Sequence, residues 1–171
     1  MTEQGIDKTI LDDFTKESLI LIDECLDLLE SIEEDPSEVG KLSDFANRID
    51  RVMGGAKSLA LLVSNEHPLH LIGDYCAICK SVGYQGAQIQ NNDQLYNVVV
   101  ALLLDAVEMT KDLFSEMDKT ATELKKKFST TFLERLKWIS FQYDELEKKR
   151  SGGEKLQQNE IDELLAKLGL S

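Results

Sequence analysis

The sequence predicts an all-α protein: an antiparallel helical bundle of four helices plus a fifth long helix, with an amphipathic C-terminal peptide. Apolar residues recur at alternating steps of three and four in successive segments, which is the period of one buried helix face. Only two prolines and ten glycines occur in 171 residues, and the breaks between segments fall at proline, asparagine and glycine clusters. We therefore predict a helical bundle over residues 1–150, a flexible linker over 151–156 and an amphipathic tail over 157–171.

Five helices are expected in the bundle. The first ends before Pro36, because the residue that precedes a proline avoids the helical region. The fourth contains the apolar run 98–104, whose length and flanking acidic residues favour a central, buried helix over a strand. The predicted helices cover Thr9–Ile32, about 38–63, Leu69–Val82, Leu95–Met117 and the stretch from a joint at 118–122 to about Lys149.

The charge balance points to protein partners. Thirty-two acidic and nineteen basic residues give a net charge of −13, which repels nucleic acid and anionic lipid. No stretch approaches the roughly 18 uninterrupted apolar residues of a membrane span. The N-terminus lacks a basic region followed by an apolar run, so no signal peptide is expected. We therefore expect a cytoplasmic protein.

Three cysteines, Cys25, Cys76 and Cys79, are an odd number and predict reduced thiols rather than a disulfide framework. Cys76 and Cys79, with His70 nearby, have the spacing of half a zinc site, but a second pair of ligands is missing. Burial as small apolar side chains is the favoured interpretation. We predict no metal site.

The stretch 43–60 predicts a helix with two different faces. Phe45, Ile49, Val52, Ala56, Leu59 and Val63 form its apolar stripe. Asn47, Asp50, Gly54 and Lys57 lie on the opposite side, three or four residues apart. Each glycine inside a helix costs about 0.5–1 kcal/mol relative to alanine, and Gly54 is followed by Gly55. The pair indicates either close packing of a neighbouring helix or the approach of another protein's backbone.

The segment Asp50-Arg-Val-Met-Gly-Gly-Ala56 resembles the motif of histidine phosphotransfer (HPt) domains in the chemotaxis kinase CheA, which reads His-Ser-Ile-Lys-Gly-Gly-Ala. Gly54 and Gly55 match the two glycines of the family. Asp50 stands where the family has its phosphorylated histidine, and Met53 replaces a phosphate-holding lysine. The resemblance covers roughly residues 10–150 in helix order. It implies an HPt-like bundle that lacks the phosphodonor.

The tail predicts a short helix with one apolar side, too short to be stable alone in water. It is expected either to fold into a partner's groove or to pack back on the bundle. The segment Ile161-Asp-Glu-Leu-Leu165, extended by Leu168-Gly-Leu170, resembles the peptides by which CheZ and FliM bind the response regulator CheY. The residues to which this resemblance assigns receiver binding are Ile161, Asp162, Leu164, Leu165 and Leu168.

Both resemblances imply a CheY-type receiver as the partner. The leading hypothesis is a CheZ-like phosphatase, in which Asn47 orients the attacking water and Asp50 holds the receiver lysine. Gly54 and Lys57 would contact the receiver. The CheZ-like and CheX-like families have the acid before the amide, and here the order is reversed. The resemblance implies no cofactor of the protein's own, since the receiver supplies Mg²⁺.

Three alternatives stay open. Asp44 with Asn47 restores the forward order, and Gln85 or Gln88 are other candidates for the catalytic amide. A non-catalytic pseudo-HPt module would instead sequester CheY or compete for it. A structural bundle that self-associates through its tail is the third possibility. Trp138 and Phe141 lie off the apolar stripe of the fifth helix, where they would cap the bundle or supply a homodimer contact.

Overall fold

The computed structural model describes residues 5–151 and 156–169, and gives only the backbone for 147–151 and 156–161. This part of the chain is helical and contains no strand, so the all-α prediction is confirmed. The helices are α1 (Lys8–Ser31), α2 (Lys41–Ala60), α3 (Pro68–Gly86), α4 (Asp93–Phe114), α5 (Ala121–Lys125), α6 (Thr130–Ser151) and α7 (Leu156–Lys167), with a single 3₁₀ turn at Pro36–Glu38.

Side-chain caps set the starts of α3 and α4. His67 Nδ1 accepts a hydrogen bond from the Leu69 backbone N–H at 3.1 Å, and Pro68 occupies the first helical position. His67 thus caps α3, and its side chain is buried. Asn92 Oδ1 accepts from the backbone N–H of Leu95 at 3.1 Å and begins α4.

Helices α1 to α4 pack as a closed ring, in which α1 contacts α2 and α4, and α3 contacts the same two helices. Ion pairs cross both contacts of α1: Arg48 on α2 to Glu24 at 3.5 Å, and Lys111 on α4 to Asp23 at 2.8 Å. The apolar stripes meet inside the ring. The side chains with no exposed surface include Ile22, Leu29, Phe45, Ile49, Val52, Ile72, Tyr75, Val99 and Leu103.

The helix with the most neighbours is α3 rather than α4, although most of the apolar run on α4 is buried as predicted, at Val99, Val100, Leu102 and Leu103. Helices α5, α6 and α7 all pack on α3, in addition to α2 and α4. Val98 on α4 is 40% exposed, so the run 98–104 has one solvent-facing side despite its apolar composition. An apolar run specifies burial on average, but the number of neighbouring helices decides how much of its circumference is covered.

The predicted fifth helix is divided into two helices, α5 and α6. A capping box begins α5, in which Thr120 Oγ1 accepts from the Glu123 N–H and the Glu123 carboxylate accepts from the Thr120 N–H. Ser129 Oγ then accepts from the Phe132 N–H at 3.0 Å at the start of α6. Phe128, between the two helices, is buried. The break lets the chain turn while both segments keep apolar contact with the bundle.

The predicted faces of α2 are confirmed over its length. Phe45, Ile49, Val52 and Ala56 are completely buried. Burial decreases toward its end: Leu59 is only partly buried, and Val63, also partly buried, lies beyond the helix, which ends at Ala60 rather than near residue 63.

The three cysteines are free and buried, as predicted. Burial raises the pKa of Cys25 and Cys79 to about 12. In the part of the chain that the structure describes, no group of three metal-ligating side chains comes together. Among the described helices, none is long and apolar enough to cross a membrane.

The tail helix α7 packs against α3 and α6. Leu165 and Leu168 are each only 1% exposed, so of the two arrangements expected for the tail this structure contains the one packed on the bundle. Residues 152–155 of the predicted linker and the side chain of Ile161 lie outside the described residues.

Candidate functional site

The two candidate catalytic side chains lie on α2 and are held from α3. The Tyr84 hydroxyl donates a hydrogen bond to Asn47 Oδ1. Lys80 Nζ lies 2.8 Å from Asp50 Oδ1. Lys80 and Tyr84 are one turn apart on α3, and Asn47 and Asp50 are one turn apart in the opposite direction on α2. Two antiparallel helices therefore present one continuous polar surface, which we call the α2/α3 face.

The Asp50–Lys80 ion pair is partly open to solvent. The Asp50 side chain is 44% exposed and that of Lys80 is 32% exposed. Ion pairs at such exposure contribute about 0–1 kcal/mol, because water screens the attraction and side-chain entropy opposes it. Another lysine can therefore replace Lys80 at Asp50 at little cost in free energy.

The adjacent glycines serve two different purposes. A Cβ atom at Gly54 would meet no atom within 4 Å, so this position is an open surface. A Cβ atom at Gly55 would lie 2.9 Å from Cδ1 of Phe14 on α1 and closer still to Cε1. Of the two interpretations of the pair, close helix packing explains Gly55. Gly54 is left available for a backbone from outside the molecule.

Lys57 borders the same face one turn after Gly54. Its Nζ lies 3.9 Å from Asp74 Oδ1, at the limit of an ion pair. Its Cγ lies 2.9 Å from the position that a Cβ atom of Gly73 would occupy, so the stem of Lys57 runs directly over the α3 backbone. The close crossing of α2 and α3 thus leaves the Lys57 ammonium group at the surface.

The alternative polar residues lie at the edges of this face. Asp44 is exposed, and its backbone carbonyl accepts from Arg48 at 3.1 Å. Gln85 Nε2 donates to Ser81 Oγ at 3.5 Å. Gln88 is exposed beyond the end of α3. Of these candidates, Asn47 and Asp50 share the solvent-facing stripe of α2 that contains Gly54.

Helix α7 borders the α2/α3 face. Glu163, Leu164 and Lys167 line an open cavity of about 430 Å³ together with Lys57 and Lys80. Met53, Ala77, Ser81, Tyr84 and Gln85 complete its lining. Three lysines thus gather around one cavity in a chain of net charge −13. Glu163 lines the same cavity, Lys80 is paired with Asp50 and Lys57 approaches Asp74, so this positive charge is largely balanced within the protein.

The sequence patterns missed the residues of α3 that complete the face. Asp74, Lys80 and Tyr84 pair with Lys57, Asp50 and Asn47 respectively. Their spacing of six and four along α3 runs opposite to the spacing of seven and three along α2. The similar spacing of the two polar stripes, in opposite directions, could have indicated these pairs. It could be used only with the knowledge that α2 and α3 are antiparallel neighbours.

A second surface feature surrounds Trp138. Trp138 and Phe141 are 49% and 55% exposed, which confirms that they lie off the buried stripe of α6. Trp138, Val98 and Leu102 line a groove of about 610 Å³ between α4 and α6. A homodimer contact at this groove stays a prediction.

Comparison with known proteins does not add a family to these observations. No protein-family model matches the chain, and no match is found among curated proteins or solved structures.

Proposed function

We propose that this protein binds a phosphorylated CheY-type receiver at the α2/α3 face and promotes hydrolysis of its aspartyl phosphate. The observation that carries the proposal is the open backbone surface at Gly54, with Asn47, Asp50 and Lys57 on the same side of α2. A helical glycine that contacts nothing in its own protein has a propensity cost of about 0.5–1 kcal/mol without any packing benefit. A partner whose backbone must approach α2 closely would explain why position 54 is a glycine.

In this proposal the bundle is HPt-like and the protein acts in cytoplasmic chemotaxis signalling. The two motif resemblances support the same partner independently, because one lies in α2 and the other in α7. Aspartate at position 50 provides no imidazole nucleophile, so the chain accepts no phosphoryl group in the manner of an HPt domain. Its role is exerted on a phosphoryl group that stays on the receiver.

Asp50 would hold the receiver's lysine during the reaction. The present partner of Asp50 is Lys80, at 2.8 Å in a half-exposed pair. The receiver's lysine would take the place of Lys80 as the partner of Asp50, and the displaced Lys80 ammonium group would be solvated by water. The cost is small, since such exposed pairs contribute about 0–1 kcal/mol.

Asn47 would orient the attacking water. Tyr84 donates to its Oδ1 and restricts the rotation of the amide. An amide oxygen has two lone pairs, so Oδ1 can accept a second hydrogen bond from a water molecule. Restricting the amide in advance reduces the entropy lost when the water is positioned.

The chemistry demands little else of this chain. The water oxygen forms a bond to phosphorus while the bond from phosphorus to the receiver carboxylate breaks. The products are inorganic phosphate and the free aspartate, and the proton of the water passes to phosphate or solvent. The receiver brings its own Mg²⁺ and lysine, so catalysis by the protein consists of positioning.

The test is the decay of radiolabelled phosphoryl receiver at saturating protein. We expect the wild type to accelerate decay, and Asn47→Ala and Asp50→Ala each to slow the accelerated rate by about a hundredfold, the scale of a positioned catalytic group. Asp112→Ala removes an exposed carboxylate from α4, outside the α2/α3 face, and serves as the matched control. Full activity in both variants would show that Asn47 and Asp50 are not catalytic. Gln85 would then be the candidate for the catalytic amide.

A second candidate function is a non-catalytic module that sequesters the receiver. It is favoured by the contacts of Asn47 and Asp50 with α3, because groups already paired within the protein also suit a docking surface. In that case the wild-type protein binds phosphorylated receiver but leaves its decay at the intrinsic rate. The same decay measurement therefore separates the two functions.

A further inference from the structure

The apolar residues of α7 can either pack on the bundle or bind a receiver. Leu165 and Leu168 are 1% exposed, and Leu164 is partly buried, all against the protein's own helices. The same leucines are those that the peptide resemblance assigns to receiver binding. One side of a helix of twelve residues cannot contact both α3 and a receiver at the same time.

The binding site of α7 on the bundle lies next to the α2/α3 face. Leu164 and Glu163 share a cavity with Met53, the residue that directly precedes Gly54, and with Lys57 and Lys80. A docked α7 therefore stands beside the surface at which the receiver would approach. The contact withholds the peptide and also crowds the face.

We propose that the docked α7 is an autoinhibitory contact, and that receiver binding requires its release from α3 and α6. This inference rests on the proposed function. The apparent affinity for the receiver is then the intrinsic affinity multiplied by the fraction of molecules in which α7 is released. If about a tenth of the molecules are released, the contact weakens receiver binding about tenfold.

A reversible change of position is physically reasonable for this helix. An isolated helix of this length is marginal in water, so α7 needs a partner surface to remain folded. The bundle and the receiver both offer one. Coupling of this kind is reciprocal, so a receiver that takes α7 must also lower its occupancy on the bundle.

The test locks α7 in place without changing its receiver-binding residues. Ser81 on α3 and Lys167 on α7 line the same cavity, and neither is among the predicted receiver anchors. The full-length Ser81→Cys, Lys167→Cys protein is bridged with a short bis-maleimide, while the buried native cysteines stay unmodified. The matched control is the same protein with both cysteines capped separately by a monofunctional maleimide. The probe is a CheY-type receiver with beryllofluoride, which mimics the aspartyl phosphate, and binding is measured by calorimetry.

We expect three results. The bridge forms within one chain, the bridged protein binds the receiver at least tenfold more weakly than the capped control, and added receiver slows formation of the bridge. Equal affinity of the bridged and capped proteins would overturn the autoinhibitory contact while the proposed function stands. Failure of the bridge to form within one chain would show that α7 has no such site on the bundle, and would overturn it independently of any receiver.

The proposed function fails in a different way. Efficient bridging, combined with no receiver binding by the capped or the unmodified protein, would show that α7 docks on the bundle but that the receiver is not the partner. That result would refute both the proposed function and the autoinhibitory role of the α7 contact.

Discussion

Substitution of alanine at the adjacent glycines of α2 should have opposite effects on stability. At Gly54 the new methyl group meets no atom within 4 Å, so only helix propensity changes. We expect Gly54→Ala to stabilise the protein by about 0.5–1 kcal/mol. For a chain of this size the melting temperature should then rise by about 1–4 °C.

At Gly55 the same gain in propensity is offset by overpacking. The methyl group would lie 2.9 Å from Phe14 Cδ1, and the Phe14 ring also packs against Phe114 with ring centroids 5.8 Å apart. Forcing a methyl group into such a contact typically costs about 1–3 kcal/mol. We therefore expect Gly55→Ala to destabilise the protein by about 1 kcal/mol, after subtraction of the propensity gain.

The assay is urea unfolding of both variants, with Phe14→Leu as the third member of a double-mutant cycle. Replacing Phe14 by the smaller leucine should relieve the contact, so that Gly55→Ala costs less in that background than in the wild type. Gly54→Ala should be unaffected by the change at Phe14. A stabilising Gly55→Ala would show that α1 and α2 do not approach closely here. A destabilising Gly54→Ala would show that this surface is packed rather than open.

Two further predictions concern titratable groups. Hydrogen bonds from the Thr122 hydroxyl and backbone N–H hold the pKa of Glu66 below its ordinary value of 4.5. The contribution of the Glu66 carboxylate to stability is therefore complete above pH 4.5, and it is lost as the pH falls through the lowered pKa. Glu66→Gln should lower the melting temperature at neutral pH and have less effect well below pH 4.5. An equal effect at the two pH values would show that the ionised carboxylate does not stabilise the protein. Burial and raised pKa values predict that the three thiols resist Ellman's reagent in the native protein and all react in guanidinium. Any thiol that reacts equally fast in both conditions would show that its helix contact is open.

The sequence alone was enough to locate most helices and the faces of α2. Helical period is a local property, so the stripe that contains Phe45 and Val52 could be placed inside, and Asn47 and Asp50 outside, without knowledge of any neighbour. The breaks at Pro36 and Pro68 follow from equally local restrictions on the backbone. The two interpretations of the glycine pair were also available, although the sequence could not say which glycine served which purpose.

Only the tertiary structure decided which helices are neighbours. The contacts of Lys80 with Asp50 and of Tyr84 with Asn47 depend on the antiparallel register of α2 and α3, which no single segment specifies. The central place of α3, rather than α4, depends on the additional helices that pack on it. The position of α7 was decided in the same way. Its amphipathic pattern requires an apolar surface, but either α3 and α6 or a partner satisfies that requirement, and the competition between them is a property of the whole folded chain.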